Sequence, residues 1–215
     1  IPAYNAAATL GDLFSRLRSA VSLSDVVVVD DGSTDETAGV CVRNGVRVIR
    51  LENNLGKGAA LRKSFEVLKN EPEVEGIITL DADLQHRPED IQLFLETKAR
   101  TNAELIVGRR KKLGTRMPLH RRFSNSVTSF LVSARTGVRI PDSQCGFRYI
   151  ARRAFSDIAC DSPGFEAETE FLIRAVKRGF SVEFVPIETV YDGAKSHMTN
   201  WTTTLNFIRV LFREY

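Results

Sequence analysis

GIITLDADLQHRPED, residues 76–90, is the stretch that decides the fold. Ile77, Ile78, Thr79 and Leu80 form the continuous apolar run of a strand buried on both faces. Two carboxylates, Asp81 and Asp83, end that run. Arg87-Pro88-Glu89-Asp90 then opens a helix, with proline in the first turn, where its missing N–H leaves no bond unmade. Strand, acidic turn, helix is one unit of an open α/β sheet.

The same unit repeats on both sides. Further strands are predicted over 25–30, 46–51 and 104–107, and helices over 7–20, 35–44, 57–70 and 88–100. Ser33-Thr34-Asp35-Glu36 is expected to cap the second helix, through Ser33 or Thr34. Alternation of this kind predicts a largely parallel sheet with ligands at the carboxyl ends of the strands. Asn5, Asp30-Asp31, Asn53-Asn54, Asp81/Asp83 and Gly108-Arg109-Arg110 fall at those ends. Beyond residue 110 the alternation stops. A basic loop leads to a helix over 119–136, a strand over 146–151, a helix over 166–178, a strand over 182–186 and a final helix over 201–215. With no repeat, low-complexity tract or linker, the chain reads as one domain, 1–215, in two halves divided near residue 110.

Composition narrows the class. The 215 residues are 43% hydrophobic, enough for a sizeable core, and the net charge of +3 does not call for nucleic acid. Cys41, Cys145 and Cys160 offer neither a disulfide framework nor metal spacing. No apolar run approaches the roughly 20 residues that span a bilayer, and no signal peptide is visible. The opening Ile1-Pro2-Ala3-Tyr4-Asn5 reads as the end of a strand, as if the chain were trimmed. Arg109, Arg110, Lys111, Lys112, Arg116, Arg121 and Arg122 crowd a segment without acid. Such a run is either a solvated loop or a surface for phosphates and anionic membrane.

Asp81 and Asp83 lie two residues apart, on the same side of an extended chain. Two bare carboxylates repel, and a hard cation such as Mg²⁺ relieves them while binding substrate phosphates. The plain alternative is a pair that caps the helix after Pro88. Asp30 and Asp31 in tandem exceed what a cap needs and suit a nucleobase N–H or ribose hydroxyls. Asn53-Asn54-Leu55-Gly56-Lys57-Gly58 places glycines at a helix N-terminus, where phosphate or ribose can approach closely. Neither the GxxxxGK[ST] nor the GxGxxG fingerprint is present.

Taken in order, Pro2-Ala3-Tyr4-Asn5, DDGSTD at 30–35, NNLGKGAAL at 53–61, DADLQHRPED at 81–90 and DSQCGFR at 142–148 resemble the family 2 glycosyltransferases, especially the polyprenyl- and dolichyl-phosphate sugar synthases. The resemblance runs from residue 1 to about 200. It implies the GT-A fold, an open mostly parallel sheet flanked by helices, with a nucleotide-binding half and an acceptor-binding half. It implies a nucleotide pocket lined by Pro2, Tyr4, Asn5, Asp30 and Asp31 and supported by Gly56, Lys57 and Gly58, with Asp81 and Ala82 also on the donor side. It implies Mg²⁺ or Mn²⁺ held by Asp81, Asp83 and Gln85, and catalytic parts for Asp81, Asp83, Gln85, Arg110 and Arg148. Arg110, Arg122, Asn125, Asp142, Gln144, Lys195, Ser196 and His197 would face the acceptor. Arg109 stands where the family often has serine, and Ala167 replaces an aromatic of the GFxFxxE pattern, which leaves packing there open.

The implied reaction moves a hexose from a nucleoside-diphosphate sugar, a UDP-sugar in preference to GDP-mannose, to a polyprenyl phosphate with inversion, at the cytoplasmic face of a membrane. An ionised phosphate acceptor needs cations rather than a general base. A hydroxyl acceptor would need a base, with Glu168 and Glu170 as candidates. Two other readings compete: a haloacid-dehalogenase-type phosphatase, disfavoured by Leu84, and a non-catalytic nucleotide-sugar-binding module. Leu119, Phe123, Val127, Phe130 and Leu131 form an apolar stripe that could be core or membrane-facing. His86 is expected to support the acidic turn, His197 to belong to the family's mobile-loop motif, and Cys145, Trp201 and Phe207 to pack.

Overall fold

The computed structural model describes residues 1–110, 119–190 and 201–215. Two hydrogen-bonded sheets carry the fold. The first holds β1 (Pro2–Ala3), β2 (Val27–Asp30) and β3 (Arg47–Arg50), all parallel, in the order β1-β2-β3. The second holds β4 (Gly76–Thr79), β5 (Leu105–Arg110), β6 (Arg148–Ala151) and β7 (Val182–Ile187), in the order β4-β6-β5-β7. β6 runs antiparallel between β4 and β5, whereas β5 and β7 are parallel.

The antiparallel insertion follows from the long connection after β5. The early strands are each followed by one helix that returns the chain for another parallel strand. After β5 the chain instead runs through α5 (Leu119–Thr136) and enters β6 from the opposite end. This places the start of β6 at Thr79, two residues before Asp81.

The helices bury the stripes their sequences specify. α1 (Ala7–Leu17) buries Leu10, Leu13, Phe14 and Leu17, spaced i, i+3, i+4, i+7. Each such side chain gains about 2 kcal/mol on leaving water. α2 (Thr37–Arg43) and α3 (Lys57–Leu68) connect the first strands. α4 (Ile91–Thr101) follows a 3₁₀ turn at Pro88–Asp90 and ends at Asn102 in the left-handed region. α6 (Arg152–Asp157) is a short helix not foreseen in the sequence. Phe94 stacks near Phe147, ring centres 4.4 Å apart, in the core under the acidic turn.

Three helices depart from this rule. α7 (Glu166–Lys177) buries Glu166, Glu168 and Glu170 along with its apolar face. α5 buries Ser129 and Val132 but leaves Phe123 73% and Phe130 70% exposed. α8 (Trp201–Phe212) buries Phe207, Val210 and Leu211 and exposes Leu205, Ile208 and Phe212. Among the described residues no helix is long and apolar enough to cross a membrane.

Candidate active site

The DDGSTD turn after β2 is held from two sides. The Asn5 N–H donates to Ser33 Oγ at 2.8 Å, and Asn5 Oδ1 accepts the Thr34 N–H at 2.9 Å. Asn5 has φ 49°, a left-handed conformation that asparagine tolerates. Buried Asp31 accepts the N–H groups of Leu55 and Gly56, each at 2.8 Å. Gly32, at φ 69°, lets the two turns touch, since a Cβ there would lie 2.5 Å from the Asn53 carbonyl carbon. Ser33 and Thr34 therefore serve Asn5 and do not cap α2. Asp35 takes that part, accepting N–H groups from Thr37 at 2.9 Å and from Ala7 at the start of α1 at 3.1 Å.

Asp30 is fully buried, with Oδ1 accepting the Ser33 N–H at 2.9 Å and Oδ2 lying 3.6 Å from Arg50 Nε. Pro2 is half-buried, and Tyr4 is 48% exposed beside Asn5, available for stacking. The expectation of open N–H groups at the start of α3 is corrected. Gly56 is engaged by Asp31, and Gly58 and Ala59 donate to the Pro163 carbonyl at 2.7 and 3.3 Å. What α3 offers is the Lys57 side chain.

Lys57 Nζ lies 2.5 Å from Asp81 Oδ1 and 2.9 Å from Glu168 Oε1, and 5.6 Å above the Phe165 ring. Burial alone would lower its pKa, but the two carboxylates raise it above the ordinary lysine value. Burial would likewise raise Asp81, but Lys57, His86 and Arg110 outweigh it and hold that carboxyl at about 2. Asp83 is shifted the other way: burial and the adjacent Asp81 charge push its carboxyl up. Leu84 turns the chain at φ 62°, and the Gln85 N–H closes onto Asp83 Oδ1 at 3.0 Å. Ala82 is buried, and its carbonyl accepts Thr9 Oγ at 2.6 Å.

His86 is buried under this turn. Its Nδ1 accepts the Asp81 N–H at 3.5 Å, and burial lowers its pKa despite Asp81 and Asp83. The other ring nitrogen faces Cys145 Sγ at 4.0 Å. Burial pushes that thiol up to about 12, so Cys145 packs and is no nucleophile. Among the described residues no three His, Cys, Asp or Glu side chains converge as a ready metal site. The acidic turn nevertheless fits a hard cation. The oxygens of Asp81 and Asp83, with that of the Gln85 amide, would suit such an ion, and the repulsion between the two carboxylates that pushes Asp83 up is what a dication would relieve.

Arg110, at the end of β5, forms a two-pronged pair with Asp142: Nε to Oδ2 at 2.7 Å and an Nη to Oδ1 at 2.9 Å. Burial would raise Asp142, but Arg110 and the surrounding N–H groups hold it below the usual carboxylate range. Gln144, half-buried, donates its N–H to the same carboxylate at 3.2 Å. The expected acceptor contact of Asp142 is thus replaced by the orientation of Arg110, whose charge also reaches Asp81. Arg148 is corrected more fully. It is 2% exposed and donates to the carbonyls of Cys145, Ser143 and Glu168 at 2.7, 3.0 and 2.6 Å. It ties β6 to α7 beneath the site and does not reach a substrate. Asn125 is half-buried on α5, and the Arg122 backbone lies in the same helix. Lys111, Lys112, Arg116, Lys195, Ser196 and His197 lie outside the described residues.

Neither candidate base survives. Glu168 is paired with Lys57. Glu170 is fully buried, accepts the Ser162 N–H at 2.9 Å and pairs with Arg174 at 2.6 Å. Burial would raise its pKa, but these bonds hold it below the ordinary glutamate value. Gly146 passed unremarked in the sequence, yet a Cβ there would lie 2.8 Å from each of Asp81 Oδ2, Glu168 Oε1 and Lys57 Nζ. The GFR motif was its only signal. Ala167 packs tightly against Gly58 at the α3–α7 contact, which settles the packing there.

The braced DDGSTD turn, the acidic turn and the fixed arginine thus lie at the carboxyl ends of β2, β4 and β5, the strand ends where ligands of open α/β sheets gather. The sequence signature described as Glycosyl transferase family 2 matches residues 1–159, and the chain belongs to that family of enzymes. It is 32% identical to an uncharacterized protein of Methanocaldococcus jannaschii, over 99% of this chain and 88% of that one. It is 27% identical to the UDP-N-acetylglucosamine–dolichyl-phosphate N-acetylglucosaminyltransferase of Methanococcus voltae, over 99% and 92%. The fold matches glucosyl-3-phosphoglycerate synthase from Mycobacterium tuberculosis in complex with Mn²⁺, UDP and glucosyl-3-phosphoglycerate. The TM-score is 0.78 at 20% identity, over 98% of this chain and 76% of that one. The GT-A architecture expected from the sequence is therefore the observed one.

Proposed function

We propose that this enzyme transfers a hexose from a nucleoside-diphosphate sugar to a polyprenyl phosphate at a membrane surface, with inversion at the anomeric carbon. The observation that carries the reading is α5, whose apolar stripe faces outward. Phe123, Val127, Phe130 and Leu131 recur at i, i+4, i+7, i+8 and are exposed, opposite buried Ser129 and Val132. α8 adds Leu205, Ile208 and Phe212, and Arg135 of α5 binds the carbonyls of Leu211 and Arg213 at its end. Between Glu104 and Asp142 there are arginines and lysines but no acidic residue. Apolar side chains flanked by cations suit an anionic bilayer, which is where a lipid phosphate resides.

The donor side supports the same chemistry. Tyr4 stacks on the base, and the turn that buried Asp30 and Asp31 brace from within lines the ribose. The UDP-dependent relative favours a UDP-sugar over GDP-mannose. A Mg²⁺ or Mn²⁺ ion held by Asp81, Asp83 and Gln85 would supply Lewis-acid stabilisation of the leaving diphosphate. Arg110, fixed by Asp142, and Arg122 grip the acceptor phosphate. That phosphate is ionised and attacks without a base, which agrees with Glu168 and Glu170 both being engaged elsewhere.

Flotation with vesicles tests the surface. Wild type is expected to rise with vesicles containing phosphatidylglycerol and to stay behind with pure phosphatidylcholine. Phe123→Ser with Phe130→Ser should weaken association by at least about a hundredfold, since each aromatic anchor lost removes about 2 kcal/mol of apolar burial. Equal flotation of both proteins would remove α5 from the reading. Arg122→Ala should raise the apparent KM for lipid phosphate about tenfold, and an unchanged KM would remove Arg122.

A further inference from the structure

The two carboxylates of the acidic turn are not equivalent. Asp83 is exposed and accepts the Gln85 N–H. Asp81 holds the Lys57 ammonium, which has no simple path away. Glu168 takes Lys57 from a second side, Phe165 lies across it, and the Gly146 backbone closes against all three charged groups. The Lys57 side chain is 12% exposed and that of Glu168 6%. A cation approaching the turn from solvent meets Asp83 freely, and meets Asp81 with a positive charge already on it.

We propose that Lys57 is a resident counter-ion that withholds Asp81 from a divalent cation until the nucleotide arrives, so that the cation binds after the nucleotide. The inference rests on the donor reading above and adds an order of binding to it. With Lys57 in place, a dication gains one free carboxylate and is repelled by a fixed ammonium in a partly buried site, where such repulsion is poorly screened. A nucleoside diphosphate brings its own negative charge. It supplies oxygen ligands to the cation and an alternative partner for the ammonium, and both effects favour release of Asp81. Glu168 keeps the lysine within reach throughout, which explains a buried carboxylate on α7 that takes no part as a base.

Mn²⁺ binding measured by calorimetry and by loss of the free-ion paramagnetic resonance signal tests the proposal without turnover. Wild type, Lys57→Met and Lys57→Arg are titrated alone and with UDP or GDP. Wild type and Lys57→Arg should bind Mn²⁺ weakly alone and at least about tenfold more tightly with nucleotide. Lys57→Met should bind Mn²⁺ alone at least about tenfold more tightly than wild type does, so that the nucleotide-dependent gain shrinks. Thermal melting of each variant without metal confirms that the site being titrated is folded. Equal Mn²⁺ affinity of wild type and Lys57→Met without nucleotide overturns the counter-ion role, while the donor reading stands if nucleotide still enhances binding. Wild type that binds no Mn²⁺ even with either nucleotide overturns both.

Discussion

α7 and α5 are both amphipathic helices, and each breaks the usual rule in the opposite direction. α7 turns three glutamates inward: Glu166, Glu168 and Glu170 are all 6% exposed or less. α5 turns its phenylalanines outward. A surface helix ordinarily buries apolar residues and solvates charge, because that ordering minimises the cost of both. Departures persist where something compensates them. On α7 the compensation lies inside the molecule, in Lys57, Arg174 and backbone N–H groups. On α5 nothing among the described residues covers the stripe, and the proposed bilayer does so. In the proposed reading the buried charges organise the donor side, and the exposed apolar surface serves the acceptor side.

Four substitutions break or sharpen this contrast. The largest effect is expected from Glu170→Ala, which leaves the N–H groups of Asp161 and Ser162 without their acceptor and Arg174 with Asp161 alone. Removing one partner of a buried ion pair costs about 3–5 kcal/mol, read as a fall in the urea midpoint at constant slope. A loss below about 1 kcal/mol would mean that α7 does not depend on its inward charge.

Asp142→Asn comes next, at about 2 kcal/mol near neutral pH, since Arg110 retains some solvent. The folded pKa of Asp142 is depressed. Its stabilisation is therefore complete above the ordinary aspartate value and is lost as pH falls through the folded pKa. The gap between wild type and variant should close on acidification below about pH 4. A gap independent of pH would show that the pair contributes through packing alone. Gly146→Ala is smaller, about 1–2 kcal/mol, because three charged side chains must shift for a methyl group. It should weaken nucleotide binding in calorimetry more than it lowers the melting temperature. Phe130→Ser, at the bottom of the scale, should change stability by less than about 0.5 kcal/mol. If it destabilised the chain markedly, the stripe would be core after all.

The sequence was most legible where structure is locally determined. The valine run before Asp30, the apolar run before Asp81 and the turn chemistry at Pro88 each name their element within a few residues. The span of α5 was legible to the residue. Its outward face was not, since an apolar stripe at helical spacing looks the same whether it meets core or lipid. The antiparallel entry of β6 also escaped, because strand order depends on where a distant connection returns. In the site, the acidic turn and the nucleotide loops were legible as motifs. Their pairings were not: Arg110 with Asp142, Lys57 with Glu168 and Arg148 with the Glu168 carbonyl join residues far apart in sequence. Arg148 shows the hazard best, since a motif arginine in a site-like segment turned out to be a buried tie between β6 and α7.

The central claim is that a lipid phosphate accepts the sugar, and nucleotide release tests it most directly. The enzyme is supplied with Mn²⁺ or Mg²⁺ and, in turn, with UDP-glucose, UDP-galactose, UDP-N-acetylglucosamine and GDP-mannose. Each donor is offered a short polyprenyl phosphate, the matching polyprenol, or water. Release that requires the metal and the phosphate-bearing lipid, with a UDP-sugar preferred, is the predicted result. Release that is equally fast with polyprenol or water would contradict the account.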